Sequence, residues 1–261
     1  MLIAGIDVGS VNTKVVLYDA DAGEIRAFLV TRTGMNPKKQ GEKAFNQCLR
    51  DAGIEMTEVK EVVATGYARH ALHFTTKVVT EITATAWGVR YWHPSCRTVI
   101  DIGGQDSKVL TLNEEGGVDG FQMNDRCAAG TGSFLEFIAR SLEIPIEEFG
   151  RLSLSSQRPV LLSSLCVVMA ESEILSLVAA DTPREDIIAG LHQALAARVV
   201  NMAARLEIKP EVVFAGGTAL NEGMRVALER TLGLPVAVAK MPMLVAALGA
   251  ALLGSAEDNH P

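Results

Sequence analysis

Two pairs of residues carry the chemistry this sequence offers. The first is a pair of cysteines. Cys127 stands in a glycine-rich turn, Asn124-Asp125-Arg126-Cys127-Ala128-Ala129-Gly130-Thr131-Gly132, that leads into an apolar helix. Cys166 lies 39 residues further on and opens a second predicted helix, Val167-Val168-Met169-Ala170-Glu171-Ser172-Glu173-Ile174. Both thiols are expected at helix N-termini, where backbone N–H groups and the macrodipole favour a thiolate. Neither belongs to a C-x-x-C pair. An iron–sulfur cluster usually takes four thiolates, so one chain offers half a ligand set and a two-fold dimer would supply the other half.

The second pair is Asp7 and Asp101. Ile3-Ala4-Gly5-Ile6-Asp7-Val8-Gly9-Ser10-Val11-Asn12-Thr13-Lys14 and the stretch from Thr98 to Lys108 share one pattern: strand, acidic residue, glycine turn, hydroxyl, lysine. Asp7, Gly9 and Lys14 coincide with Asp101, Gly103 and Lys108 without offset, which reads as an internal duplication. Glycine lets a backbone come close and present its amides to anionic oxygens. Gly9, Ser10, Asn12 and Thr13 in the first turn, and Gly103 and Gly104 in the second, are therefore expected to cradle phosphate. Asp7 and Asp101 would hold Mg²⁺ through water, and Lys14 would offset phosphate charge. Gln105 fits either an orienting group for an attacking water or a solvated turn residue. Asp106, a possible base, has the same two readings. One such turn alone is an ordinary hairpin. Two, with a later Gly216-Gly217 turn after the strand Val212–Ala215, point to a nucleotide. Neither a Walker A motif nor G-x-G-x-x-G is present.

The elements that must position these groups follow from periodicity. Strands are expected over Leu2–Asp7, Lys14–Asp19, Ile25–Thr31, Val59–Thr65 and from Thr98 to Leu110 around the second turn. Ala44, Phe45, Cys48 and Leu49 share one helical face. Further helices are expected over Ile82–Tyr91, with Ala84, Ala86 and Trp87 inward, and over Gln193–Leu206, Val226–Leu232 and Leu244–Leu253. Cys48 on its core face and Cys96 before a strand read as packing residues.

Composition narrows the class. The chain has 261 residues, 48% of them hydrophobic, enough for one large domain or two lobes. A formal charge of −7 without a basic stripe argues against a nucleic-acid partner. The N-terminus lacks a basic region before its apolar run, so no signal peptide is expected. The longest apolar stretch, 242–254, is too short to span a bilayer. The expected location is cytoplasmic, with cysteines reduced or metal-bound.

Ile6-Asp7-Val8-Gly9-Ser10, Asp101-Ile102-Gly103-Gly104-Gln105-Asp106 and Phe214-Ala215-Gly216-Gly217 resemble the phosphate-1, phosphate-2 and adenosine motifs of the acetate kinase, sugar kinase, Hsp70 and actin superfamily. Within it, the stretch from Asn124 to Glu136, with Ala170-Glu171-Ser172-Glu173 and Thr80-Glu81-Ile82-Thr83, resembles the activators of 2-hydroxyacyl-CoA dehydratases and the ATPase subunits of benzoyl-CoA reductases. The resemblance spans nearly the whole chain. It implies an α/β, duplicated actin-like (ribonuclease H-like) ATPase fold with two lobes around a nucleotide cleft, residues 1–95 with 243–261 forming one lobe and 96–242 the other. It implies ATP and ADP as ligands, with Gly130, Gly132, Gly216 and Gly217 near the nucleotide. It implies a [4Fe–4S] cluster bridging a homodimer through Cys127 and Cys166 of each chain. ATP hydrolysis would drive one electron to an iron–sulfur dehydratase or reductase, the electron coming from ferredoxin or flavodoxin. Two rival readings stay open: a small-molecule kinase of the same superfamily without a cluster, and a nucleotide-dependent sensor or chaperone-like module.

Overall fold

The computed structural model describes residues 1–124, 127–162 and 167–256. In chain order the elements are β1 (Leu2–Val8), β2 (Asn12–Asp19), β3 (Glu24–Arg32), α1 (Pro37–Ala52), β4 (Val59–Thr65), β5 (Lys77–Val78), α2 (Glu81–Trp92), β6 (Thr98–Ile102), β7 (Ser107–Leu112), β8 (Val118–Asn124), α3 (Gly132–Ser141), α4 (Ile146–Leu154), α5 (Val167–Ala179), α6 (Arg184–Met202), β9 (Val212–Ala215), α7 (Glu222–Leu232), β10 (Val236–Val238) and α8 (Val245–Ser255). They divide into two compact units. The first holds Met1–Cys96, Leu112–Val118 and the segment from Ala239; the second holds Arg97–Thr111 and Asp119–Val238.

The duplication seen in the sequence is a duplication of topology. The first sheet has the order β3-β2-β1-β4-β5, and the second, read from its other edge, β8-β7-β6-β9-β10. In each, the first strand pairs antiparallel with the second and parallel with the fourth. The register sets the chemistry: Asp7 stands opposite Lys14 on one side and Thr65 on the other, and Asp101 stands opposite Lys108 and Ala215.

In the first unit β1 and β2 are buried on both faces, and successive side chains serve alternate layers. Ala4, Ile6, Val8, Val15 and Leu17 face the layer holding Phe45, Cys48 and Leu49 of α1, while Ile3, Val16 and Tyr18 face α2 and α8. The helical face anticipated at Ala44, Phe45, Cys48 and Leu49 is therefore the buried one. Helix α1 starts where Asn36 accepts a hydrogen bond from Lys39 N at 3.0 Å and ends at Gly53, in the left-handed region. Helix α8, built of small residues, packs against α2. One anticipated contact is absent: Trp87 is 42% exposed, and Val89, two positions on, is buried instead.

The core of the second unit gathers α3, α4, α6 and α7 on its sheet. Helix α6 begins at Arg184, nine residues ahead of the expected Gln193, and ends at Met202. Every residue from Asp186 to His192 is buried, a run that goes right round the helix, so no single apolar stripe marks its start. His192 is 1% exposed; its Nε2 meets the Asn221 side-chain amide at 3.1 Å, Nδ1 has no hydrogen-bond partner among the described residues, and its ring lies edge-on to Phe149. Burial drives its pKa down to about 3 from an ordinary 6.5. The unfolded chain takes up a proton near pH 6.5 that the folded chain refuses. The stability supplied by neutral His192 is thus complete above pH 6.5 and lost as pH falls from 6.5 toward 3, at up to about 1.4 kcal/mol per pH unit. Urea unfolding from pH 7.5 to 4.5 should show this slope, and His192→Leu should flatten it. Equal slopes in the two proteins would remove His192 as its source.

Candidate functional site

The first unit presents a closed turn between β1 and β2. Gly9 N donates to Asn12 O at 3.1 Å. From beneath, the Thr33 hydroxyl donates to Gly9 O at 2.8 Å and meets the Thr13 hydroxyl at 2.9 Å. Thr13 is fully buried and braces the turn from inside; Ser10 and Asn12 are half-buried on it. Asp7, one residue before the end of β1, is almost fully buried. Lys14 Nζ holds its Oδ2 at 2.8 Å, while its buried Oδ1 has no hydrogen-bond partner among the described residues. Gly66, which follows β4 at φ +89°, lies against that oxygen, and a Cβ there would overlap it. Ala68 N donates to Val8 O at 2.9 Å, fastening the loop after β4 onto the turn.

The second unit repeats the arrangement. Gly103 N donates to Asp106 O at 2.9 Å. Gly216, which follows β9 at φ +83°, lies against Asp101 Oδ1 and would overlap it if it carried a Cβ. Both positions need glycine twice over, for the positive φ and for the space. Lys108, 1% exposed, stands 2.9 Å from Asp106 Oδ2 and 3.6 Å from Asp101 Oδ2. Asp106 is thus committed to an ion pair rather than held as a free base. Gln105 is exposed, with no hydrogen bond among the described residues. Gly217 opens one turn of 3₁₀ helix, Gly217–Leu220, with open space beside its Cα.

A buried carboxylate oxygen without a partner is rare because its desolvation goes uncompensated. Asp7 Oδ1 therefore fits a group that brings its own positive charge or hydrogen-bond donors, and a hydrated Mg²⁺ does both. Among the described residues no three histidine, cysteine or carboxylate side chains gather to hold a metal ion.

The cysteine turn corrects the sequence reading. Helix α3 begins at Gly132, with Thr131 as its N-cap residue, so Cys127 lies five residues ahead of the helix rather than at its first turn. The first amides of α3 do not face the thiol. Gly132 N donates to Gly103 O at 2.8 Å and Ser133 N to Gly104 O at 2.9 Å. Gly132 is also pressed against Thr218, whose hydroxyl would stand 2.9 Å from a Cβ there. Cys127 itself is free and half-exposed on a pinned loop. The Asn124 side chain donates to Cys127 O at 2.9 Å, the Thr131 hydroxyl to Ala128 O at 2.7 Å, and the Arg198 side chain packs on Gly130. Cys166 lies outside the described residues; α5 follows it from Val167. Cys48 and Cys96 are both about 1% exposed, and burial pushes the Cys48 thiol up to about 11, as suits packing residues.

The fold thus gathers Gly103, Gly104, Gly132 and Thr218 at one point, and Asp7, Gly9 and Lys14 at another. Gly66, Thr33 and Thr218 were not anticipated. The strand-then-glycine pattern shared by Thr65-Gly66 and Ala215-Gly216 is the signal that would have found the first.

Two equivalent strand–glycine turns, each with a carboxylate seated on a glycine, mark a duplicated α/β fold. Comparison with known proteins agrees. A ROK family glucokinase from Streptomyces griseus shares the fold at TM-score 0.60, with 14% identity, over 97% of this chain and 99% of that one. The model of the BadF/BadG/BcrA/BcrD ATPase family matches residues 4–254. The chain belongs to that family. It is 39% identical over 256 residues to the 2-hydroxyisocaproyl-CoA dehydratase activator of Clostridioides difficile, covering 97% of this chain and 94% of the relative. A solved structure of an activator of that dehydratase from Clostridium difficile, with bound ADPNP, superposes at TM-score 0.91 with 35% identity over the full length of both chains.

Lys108 is the buried cation that this arrangement requires. Lys108→Met leaves two neighbouring carboxylates without it and should destabilise the second unit by about 3 kcal/mol or more, whereas Lys14→Met, at a more exposed pair, should have the smaller effect. Urea denaturation of the two variants checks the order; a loss for Lys108→Met no larger than for Lys14→Met would contradict it.

Proposed function

We propose that this chain is an ATP-dependent activator that passes single electrons to a partner iron–sulfur enzyme, a 2-hydroxyacyl-CoA dehydratase or a related low-potential reductase. The observation that carries the reading is the junction in the second unit, where the glycines of the Asp101 turn are hydrogen-bonded to the helix that follows Cys127. A plain kinase has no use for a half-exposed cysteine so tied to its phosphate turn. The names of the family and of the relatives, and the ADPNP in one of them, support the nucleotide and the dehydratase partner.

In this reading the Gly9–Lys14 and Gly103–Gly104 turns bind ATP phosphates, and Gly216 and Gly217 border the adenosine. Asp7 and Asp101 hold Mg²⁺ through water, and the exposed Gln105 orients the water that attacks the γ-phosphorus. The bond to the ADP leaving oxygen breaks, giving ADP and inorganic phosphate. Cys127 and Cys166 of two chains hold a [4Fe–4S] cluster across a homodimer. A cluster held by these cysteines would supply one-electron chemistry at low potential, between ferredoxin or flavodoxin as donor and the partner enzyme as acceptor. Cys127 suits that duty: it is half-exposed, free of other bonds to sulfur, and on a loop whose carbonyls are pinned. ATP and ADP do work by favouring different conformations of the chain. Such chemistry suits the cytoplasm.

Iron analysis with light scattering of anaerobically purified protein tests this. About four irons per dimer are expected from one bridging cluster. Cys127→Ser should lose the iron and weaken the dimer, while Cys48→Ala and Cys96→Ala keep both. Four irons per monomer, or an iron-loaded Cys127→Ser variant, would overturn the bridging cluster.

A further inference from the structure

The first amides of a helix have no partner within the helix, and they commonly bind anions. In α3 two of them are already spent. Gly132 N and Ser133 N donate to the carbonyls of Gly103 and Gly104, the two glycines of the Asp101 turn. The same turn is drawn tight by Gly103 N on Asp106 O, and Thr218, the residue after the Gly216-Gly217 turn, closes against Gly132. On the other side of the helix cap, the Thr131 hydroxyl and amide both donate to Ala128 O, at 2.7 and 3.1 Å, and the Asn124 amide holds the carbonyls of Cys127 and Ala129. From the phosphate turn to the cysteine, each link is a hydrogen bond to a backbone carbonyl. Only two short side chains, Thr131 and Asn124, take part.

We infer that the Ser133 amide, with Gly132, is the positioning element that transmits the nucleotide state of the Asp101 turn to the Cys127 loop. A γ-phosphate that shifts Gly103 and Gly104 must carry their carbonyls with it. Those carbonyls take the start of α3 along, and the cap carries the cysteine loop. The amides at Gly132 and Ser133 are therefore not an anion site; they are a mechanical joint. The inference rests on the proposed function for the meaning of Cys127, but the joint itself is independent of any metal.

Proline at Ser133 isolates this joint. Proline is tolerated in the first turn of a helix because the amide it lacks is not used within the helix; here the only bond lost is the one to Gly104 O. Ser133→Ala keeps the amide and is the control. Anaerobically purified full-length protein is mixed with a ferrous chelator under Mg-ADP or Mg-ADPNP, and the ratio of the two iron-release rates is read. Wild type and Ser133→Ala should show a ratio of about fivefold or more. Ser133→Pro should bind ADPNP with unchanged affinity and show a ratio near one. If Ser133→Pro does not fold, Thr131→Val cuts the path at the Ala128 carbonyl and should lower the ratio. A wild-type ratio in the folded variant overturns the inference. Protein that holds no iron overturns the proposed function instead. The alkylation rate of Cys127 under the two nucleotides then replaces iron release, and a ratio that collapses in Ser133→Pro supports the joint while an unchanged one overturns it.

Discussion

The interaction on which the rest depends is the seat of a strand-end aspartate. Asp7 and Asp101 each stand one residue before the end of the first strand of a sheet, buried, with a lysine across the hairpin and a glycine just past the neighbouring parallel strand. Burying a carboxylate is expensive unless charge and hydrogen bonds compensate it. The lysine supplies the charge; the glycine, by having no side chain, lets the carboxylate lie flat against the adjacent backbone. The result is an acidic oxygen fixed by sheet register rather than by a mobile loop. Both halves solve the problem with the same strand order, and the pair of lysines differs only in depth: Lys14 keeps part of its surface in solvent, and Lys108 keeps almost none.

The second unit adds to that seat a connection the first lacks. Its Asp101 turn is hydrogen-bonded to the start of α3 through the amides of Gly132 and Ser133. A site built from side chains would allow slack at every torsion. This one is built almost wholly from backbone carbonyls and amides, and its glycines permit the close approach. The loop that carries the half-exposed Cys127 is pinned in the same way, by Asn124, Thr131 and Arg198.

What could be read from sequence was local. The strand, aspartate, glycine, lysine order is contiguous, so the repeat and both turns were visible, and Ala44, Phe45, Cys48 and Leu49 gave away their face by spacing. Gly66 left only its strand-then-glycine pattern in the sequence, because its meaning comes from a parallel pairing of β1 with β4 across an intervening hairpin and helix. Helix α6 was cut short because it is buried all round and shows no stripe. Trp87 was placed inward on hydrophobicity, although a side chain as large as Trp is rarely buried in full. The cysteine turn misled for a related reason. Glycine and alanine before an apolar run resemble a helix start, but the structure uses those residues as a separate turn and begins the helix at Gly132.

The central claim is that the glycine seats make nucleotide binding possible. Calorimetric titration of Mg-ADPNP into Gly66→Ala and Gly216→Ala tests it most directly, with circular dichroism to establish that each variant is folded. A Cβ at either position meets the carboxylate and must displace it. Each folded variant should lose affinity by about tenfold or more, equivalent to about 1.4 kcal/mol. Wild-type affinity in a folded Gly216→Ala protein would contradict the account.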